Sequence, residues 1–385
     1  MGKGKIFQTT SRIVRGAGSL SDVADEITRL GASKIMIVTD PGIVAAGIVG
    51  KLEKVLIAAD IAYNICDQIE PDPRLQLAVD TAEQLKATAT DLVIGIGGGS
   101  AIDIAKVSAV LVTNEGDISS FIGIDQIAKA GLPTIIIPTT AGTGSEVTPI
   151  AILSDHDEKL KKGIVSSYLF PTVALLDPEL TVGLPPHVTA ATGMDALIHA
   201  VEAFTSKNAD SLTDVFACRA MELIYTNIRK VFQDGSDLMA RANMLEGSLL
   251  AGMAFANAGV TAVHAFAYPI GAEFHIPHGV ANSIMLTPVM EFNMSGNLSK
   301  FATIGKTFGY DVSGMSEKEA ATLAVDSLRQ LAHDLQIPKH LSEFGIKDSD
   351  IPGLAEGVMK VTRLLDNNPR ILTLQDAEEI YRKVL

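Results

Sequence analysis

The chain has 385 residues, of which 47% are hydrophobic and 20% charged, with a formal net charge of -14. That length suggests two domains, and the composition is that of a folded globular protein rather than a disordered one. The acidic balance makes nucleic acid and anionic membrane surfaces poor partners, and the two cysteines, Cys66 and Cys218, give neither a disulfide framework nor a thiolate metal cluster.

From the N-terminus, Met1 to Thr10 carries lysines with no apolar run behind them, unlike a secretory signal, so a reducing cytoplasm is the expected location. Between Lys34 and Asp177, short β-branched runs alternate with amphipathic stretches. Strands are expected at Lys34–Thr39, Asp91–Ile96, Pro133–Ile137 and Thr172–Leu176, with helices near 44–59, 75–86 and 101–112. Continuously apolar strands are buried on both faces, so the expectation is βαβ units of a parallel α/β sheet, with ligands at the strand C-termini. After Gly183-Leu-Pro-Pro186 no strand pattern appears, and residues 186–385 read as an all-α domain, its first helix opened by the run Thr189–Met194, following an α/β domain over 1–185. The apolar stretch Gly247–Val263 is too short for a membrane span and reads as a buried helix.

The strand at Asp91–Ile96 runs into Gly97-Gly98-Gly99-Ser100 and then a helix. Exposed backbone N–H groups at a helix N-terminus bind anions, and glycines let a pyrophosphate approach the main chain. The standard GxGxxG pattern is not met, because Ser100 takes the third glycine position; a packing turn that binds nothing is the alternative. A second strand ends in Pro138-Thr-Thr-Ala-Gly-Thr-Gly-Ser-Glu146, where Thr139, Thr140 and Thr143 either reach phosphate and ribose or bond their own backbone as turn residues. Asp40 closes the first strand. There it either accepts from an adenosine ribose, favouring NAD over NADP, or initiates a helix before Pro41. Asp103 is either a cofactor residue or a first-turn acid answering the helix dipole, and Lys106 a possible ion-pair partner for it.

Further along, Asp195-Ala-Leu-Ile-His199 sets a carboxylate and an imidazole on one helix face. In the run from His264 to His278, Pro269 and Pro277 are expected to break the chain so that His264 ends one helix and His278 begins another, letting their rings face each other. One carboxylate and three imidazoles suit a borderline divalent ion, Fe2+ or Zn2+, better than magnesium or calcium. His187 and His275 read as turn or surface residues.

Taken together, Gly97-Gly-Gly-Ser100-x-x-Asp103-x-x-Lys106, Pro138-Thr-Thr-Ala-Gly-Thr-Gly-Ser-Glu146, Gly193-Met-Asp-Ala-Leu-Ile-His199 and His264-x13-His278-Gly279 resemble the iron-containing (group III) alcohol dehydrogenase family. The resemblance covers nearly the whole chain and implies an N-terminal Rossmann-like, dinucleotide-binding α/β domain over 1–185, an all-α C-terminal domain over 186–385 in a dehydroquinate synthase-like architecture, a cleft between the domains and a homodimer or higher homo-oligomer. It implies that Asp195, His199, His264 and His278 hold the metal, and that Gly98, Gly99, Ser100, Thr139, Thr140 and Thr143 line the nicotinamide cofactor. Lys162 matches a family lysine near the cofactor; otherwise it is a solvated member of the basic run from Lys159. One departure stands out. Many relatives carry a further histidine four residues after the third metal ligand, and here that position is Tyr268, a hydrogen-bond donor or a pocket wall.

The expected reaction is hydride transfer between a nicotinamide and a small alcohol or its aldehyde or ketone. One rival is a metal- and NAD-dependent lyase of the dehydroquinate synthase type. Its anionic substrate would need cations, and between residues 181 and 300 only Lys207, Arg219, Arg229, Lys230, Arg241 and Lys300 occur, none near the proposed ligands in sequence. The other is a cofactor-binding assembly protein without turnover.

Overall fold

In the computed structural model, residues 4–155 and 160–385 are described; residues 1–3 of the N-terminal stretch, and Lys159, lie outside them. The chain divides into two compact units, one running Gln8–Gly183 and the other Leu184–Leu385 together with the segment up to Phe7. Phe7 belongs with the helices because its ring stacks on Phe216, with centroids 5.4 Å apart.

The first unit contains strands β1 (Ile13–Arg15), β2 (Lys34–Val38), β3 (Ala62–Cys66), β4 (Leu92–Gly97), β5 (Gly123–Ile124), β6 (Thr134–Pro138), β7 (Ile150–Asp155), β8 (Leu160–Val165) and β9 (Val173–Leu176). Its helices are α1 (Val23–Leu30), α2 (Pro41–Ala45), α3 (Ile48–Ala58), α4 (Leu75–Ala87) and α5 (Gly99–Leu111). Six strands form a parallel sheet in the order β1-β9-β6-β4-β2-β3, and β5-β8-β7 form a small second sheet. Both faces of the main sheet are covered: Ile35, Ile37, Ile94 and Ile96 pack toward one core, while Met36, Val38 and Val93 pack toward another. That is the physical reason for the unbroken apolar runs in β2, β4 and β6.

The second unit is helical: α6 (Pro186–Thr205), α7 (Ser211–Gln233), α8 (Leu238–Ala258), α9 (Ala262–Phe274), α10 (His278–Met294), α11 (Leu298–Thr307), α12 (Glu317–Asp334), α13 (Ile351–Lys360), α14 (Thr362–Leu365) and α15 (Leu374–Arg382). Among the described residues no single helix is long and apolar enough to cross a membrane.

Four expectations need correction. The stretch 44–59 is two helices, α2 and α3, because Gly47 adopts a left-handed φ of 74° between them. The helix opening the second unit starts at Pro186, not Thr189, with proline supplying the preset φ of a first turn. The apolar stretch 247–263 is not one helix: α8 ends at Gly259 and α9 leaves at 102° to it. His264 therefore opens a helix instead of ending one, and Pro269 lies inside α9 without breaking it.

The C-terminal helix is tied to α9 by the fully buried Tyr381, whose hydroxyl donates to the Phe266 carbonyl at 2.7 Å. Tyr381→Phe strands that buried carbonyl and should cost about 1–3 kcal/mol in denaturant unfolding. A loss below about 0.5 kcal/mol would mean that water replaces the hydroxyl.

Candidate functional site

In the helical unit, α6 carries Asp195 and His199 one turn apart, both nearly buried at 3% and 6% exposure. His264, in the first turn of α9, is 2% exposed. Ligand atoms of these three residues all lie within 4.8 Å of one another. The Nε2 atoms of His199 and His264 are 3.0 Å apart. His278, the first residue of α10, places Nε2 3.9 Å from Asp195 Oδ1, with its ring 40% exposed. The approach of α10 to α6 requires Gly279, since a Cβ there would stand 2.4 Å from the Ala191 carbonyl oxygen.

Two supporting residues escaped the sequence reading. Glu202, fully buried one turn beyond His199, binds His264 Nδ1 and accepts from Thr261 Oγ1 at 2.6 Å and from the Val263 amide at 2.7 Å. Spacing was the available signal, because Asp195, His199 and Glu202 lie at i, i+4 and i+7 on one helix face. Asn282, one turn after His278, donates to Asp195 Oδ1 at 2.8 Å and lies 3.1 Å from His278 Nε2.

Electrostatics follow from this burial. Loss of solvation pushes His199 down to about 4, so its ring is neutral at pH 7. Burial also disfavours charge on His264, but the Glu202 carboxylate outweighs it and raises that imidazole above its ordinary value. With Nδ1–H committed to Glu202, His264 turns Nε2 toward the Nε2 of His199. Two lone pairs at that distance repel unless a proton or a cation lies between them. A carboxylate and imidazole nitrogens that converge, with His264 oriented by Glu202 and Asp195 by Asn282, are the donor set of a borderline divalent ion. Tyr268 is half-buried on α9, its ring centroid 6.1 Å from that of His278. His187 and His275 are exposed, as expected.

In the α/β unit the glycine turn joins β4 to α5. Gly97 has a φ of 150°, and Gly98 and Gly99 open the helix, with Ser100 second in it. The second loop lies against this turn. A Cβ on Gly99 would stand 2.8 Å from Thr143 Cγ2, and one on Gly98 would stand 3.8 Å from Thr140 Cγ2. Thr139 is buried, donates its amide to the Gly97 carbonyl at 3.0 Å, and keeps a hydroxyl with no partner among the described residues. Thr143 Oγ1 accepts from the Ser145 amide, so it makes the turn bond that the sequence left open. Asp40 caps α2 by accepting from the Ile43 amide at 3.0 Å. Its other oxygen stands 3.2 Å from where a Gly97 Cβ would be. Lys162 lies on β8, 3.9 Å from Asp155.

Asp103 joins the two loops: it accepts from Ser145 Oγ at 2.6 Å and from the Ile152 amide at 2.8 Å. Lys106, 1% exposed, is 3.9 Å from Asp103 and donates to the carbonyls of Ser145, Thr148 and Ile150. These two side chains staple the glycine turn's helix to the second loop.

The fold and site define a two-unit enzyme pairing a parallel α/β sheet with a helical unit that gathers metal-type ligands. Residues 10–178 match the family model described as iron-containing alcohol dehydrogenase, and residues 189–385 match that for the C-terminal part of the Fe-containing alcohol dehydrogenase family. The chain is 42% identical to long-chain-alcohol dehydrogenase 1 of Geobacillus thermodenitrificans, over 98% of this chain and 95% of that one. It is 40% identical to the sulfoacetaldehyde reductase of Bilophila wadsworthia, over 95% of each. A crystal structure of a 1,3-propanediol oxidoreductase superposes with a TM-score of 0.97 at 37% identity, covering 100% of both chains. The chain belongs to the iron-containing alcohol dehydrogenase family. It is an oxidoreductase that moves hydride between a nicotinamide cofactor and an alcohol–carbonyl pair.

Glu146, 1% exposed, has one oxygen without a partner among the described residues, and burial pushes its carboxyl up from 4.5 to about 7. The folded state therefore binds a proton that the unfolded chain releases between those values, and its contribution to stability falls as pH rises through that window. Glu146→Gln should flatten thermal stability between pH 4.5 and 7 and raise the midpoint at pH 8. An unchanged pH profile would assign the dependence elsewhere.

Proposed function

We propose that Asp195, His199, His264 and His278 hold one divalent ion, Fe2+ with Zn2+ as the alternative. The observation that carries this is the buried convergence of Asp195, His199 and His264 within 4.8 Å, with His264 locked by Glu202. When bound, the ion supplies Lewis acidity, lowering the pKa of an alcohol or polarising a carbonyl. The chain's own residues do the rest. Glu202 holds the His264 tautomer that leaves Nε2 free, and Asn282 holds Asp195 against His278. Tyr268 supplies a phenol beside His278, where many relatives have an imidazole, and serves as donor or wall to the substrate.

The α/β domain, 1–185, is proposed to take NAD, with the pyrophosphate at Gly97, Gly98, Gly99 and Ser100 and the threonines 139, 140 and 143 along it. Lys162 is assigned to the same ligand from the family resemblance. Asp40 at this turn would repel a 2'-phosphate, which is why NAD is favoured over NADP. Asp103, by contrast, spends both oxygens on Ser145 and Ile152, so its part in cofactor binding is to hold the loops. The helical domain, 186–385, holds the ion and the alcohol or aldehyde. A cytoplasmic homodimer or larger homo-oligomer is the proposed form, in keeping with two free cysteines. The names of the relatives point to alcohols and aldehydes as substrates, which weighs against the lyase, and an intact ligand set weighs against a non-catalytic assembly protein.

Chelation should abolish NADH oxidation by aldehydes at 340 nm, and anaerobic Fe2+ should restore it. His264→Ala should remain folded, bind no ion and turn nothing over. Glu202→Gln should weaken metal affinity by about 10- to 100-fold. Full activity in metal-free protein would refute the reading.

A further inference from the structure

Two consecutive asparagines just past α14 bond to the ends of all three helices that carry the ligand cluster. Asn367 takes the end of α6: its carbonyl accepts from the Lys207 amide at 2.9 Å, and its Oδ1 accepts from Asn208 Nδ2 at 2.8 Å. Its Nδ2 donates to the Val260 carbonyl at 3.0 Å, in the turn between α8 and α9. That approach demands a glycine at 259, where a Cβ would stand 2.3 Å from Asn367 Nδ2. Asn368 takes the start of α9, its Oδ1 accepting from the Ala262 amide at 3.3 Å. It also exchanges two hydrogen bonds of 2.7 Å with Asn293 near the end of α10, the helix that begins with His278.

The Asn368 amide is fully buried, and its remaining N–H donates to the Arg370 carbonyl at 2.7 Å. Both lone pairs of Oδ1 and both protons of Nδ2 are thus used, a set that only a carboxamide supplies. Turning the amide over would set its donors against the Ala262 N–H, so in a low-dielectric core it has one orientation. The turn it grips is bonded from two sides. Glu202 of α6 accepts from Thr261 and Val263, while the asparagines hold Val260 and Ala262 between them. His264 comes next, so these four consecutive residues set where it stands relative to α6 and α10.

We infer that Asn367 and Asn368 are positioning residues for the metal site: they fix the spacing of α6, α9 and α10 and so the convergence of Asp195, His199, His264 and His278. This rests on the reading that those four side chains hold an ion. A donor set already in place loses little conformational entropy when an ion arrives, so loosening the clamp weakens ion affinity before it unfolds the helices.

The test uses full-length protein, with Fe2+ titrated anaerobically against a competing chelator, NADH binding followed by fluorescence, and thermal unfolding. Asn368→Ala should bind Fe2+ about tenfold or more weakly and keep wild-type affinity for NADH. Asn367→Ala alters a half-buried side chain, so it should fold even where Asn368→Ala does not, and should show the same selective loss to a smaller degree. Tyr225→Phe is the control for stability alone. It removes the 2.8 Å bond between the Tyr225 and Tyr310 hydroxyls, and should lower the unfolding temperature while leaving Fe2+ affinity unchanged. Wild-type Fe2+ affinity in either folded asparagine variant would overturn the inference, as would an equal loss of affinity in Tyr225→Phe; both results leave the metal reading intact. No binding of Fe2+ or Zn2+ by wild-type protein would overturn the metal reading, and this inference with it.

Discussion

The helical unit is organised around one electrostatic problem: a carboxylate and two imidazoles sit almost out of water, in a largely apolar core that includes Ile198, Val201, Phe255 and Val263. Burying such groups unpaired costs several kcal/mol each, so each must be answered by a partner. Glu202 answers His264, and Asn282 answers Asp195. The two facing Nε2 atoms, 3.0 Å apart, need a proton or a cation between them. The surrounding packing exists to hold that geometry. Gly279 lets α10 meet α6, Gly259 turns the chain so that His264 starts α9, and Asn367 and Asn368 fasten α14 and α10 to that turn.

The α/β unit solves a different problem, that of keeping two loops at fixed separation. A helix N-terminus gives backbone donors and a favourable dipole to an anion only if the chain around it does not move. Lys106 supplies that rigidity by placing a buried ammonium on three carbonyls of the neighbouring loop, and Asp103 adds two bonds to the same segment. Motif residues thus divide into those proposed to face the ligand and those that hold the loops, although sequence alone sees one string of glycines, serine, aspartate and lysine.

Much of this was legible in advance. Strands β2, β4, β6 and β9 announce themselves as apolar runs because both faces are covered. The pair Asp195 and His199 is visible because helical spacing converts four residues into one face. The edge strand β3 was not, because most of its side chains are exposed and Asn64 interrupts its short apolar run. The entry of His264 was misread, since a proline such as Pro269 breaks a helix only where its missing N–H and its ring cannot be accommodated, and the actual break lies earlier, at Gly259. Glu202 and Asn282 sit at readable spacings from the ligands they support, but i+3 and i+4 neighbours gain meaning only once the ligands are fixed.

X-ray absorption at the iron edge of anaerobically loaded protein tests the central claim most directly. The account predicts one ion per chain, in a shell of nitrogen and oxygen donors with the multiple scattering of three imidazole rings. A shell of oxygen donors without imidazole scattering would contradict it.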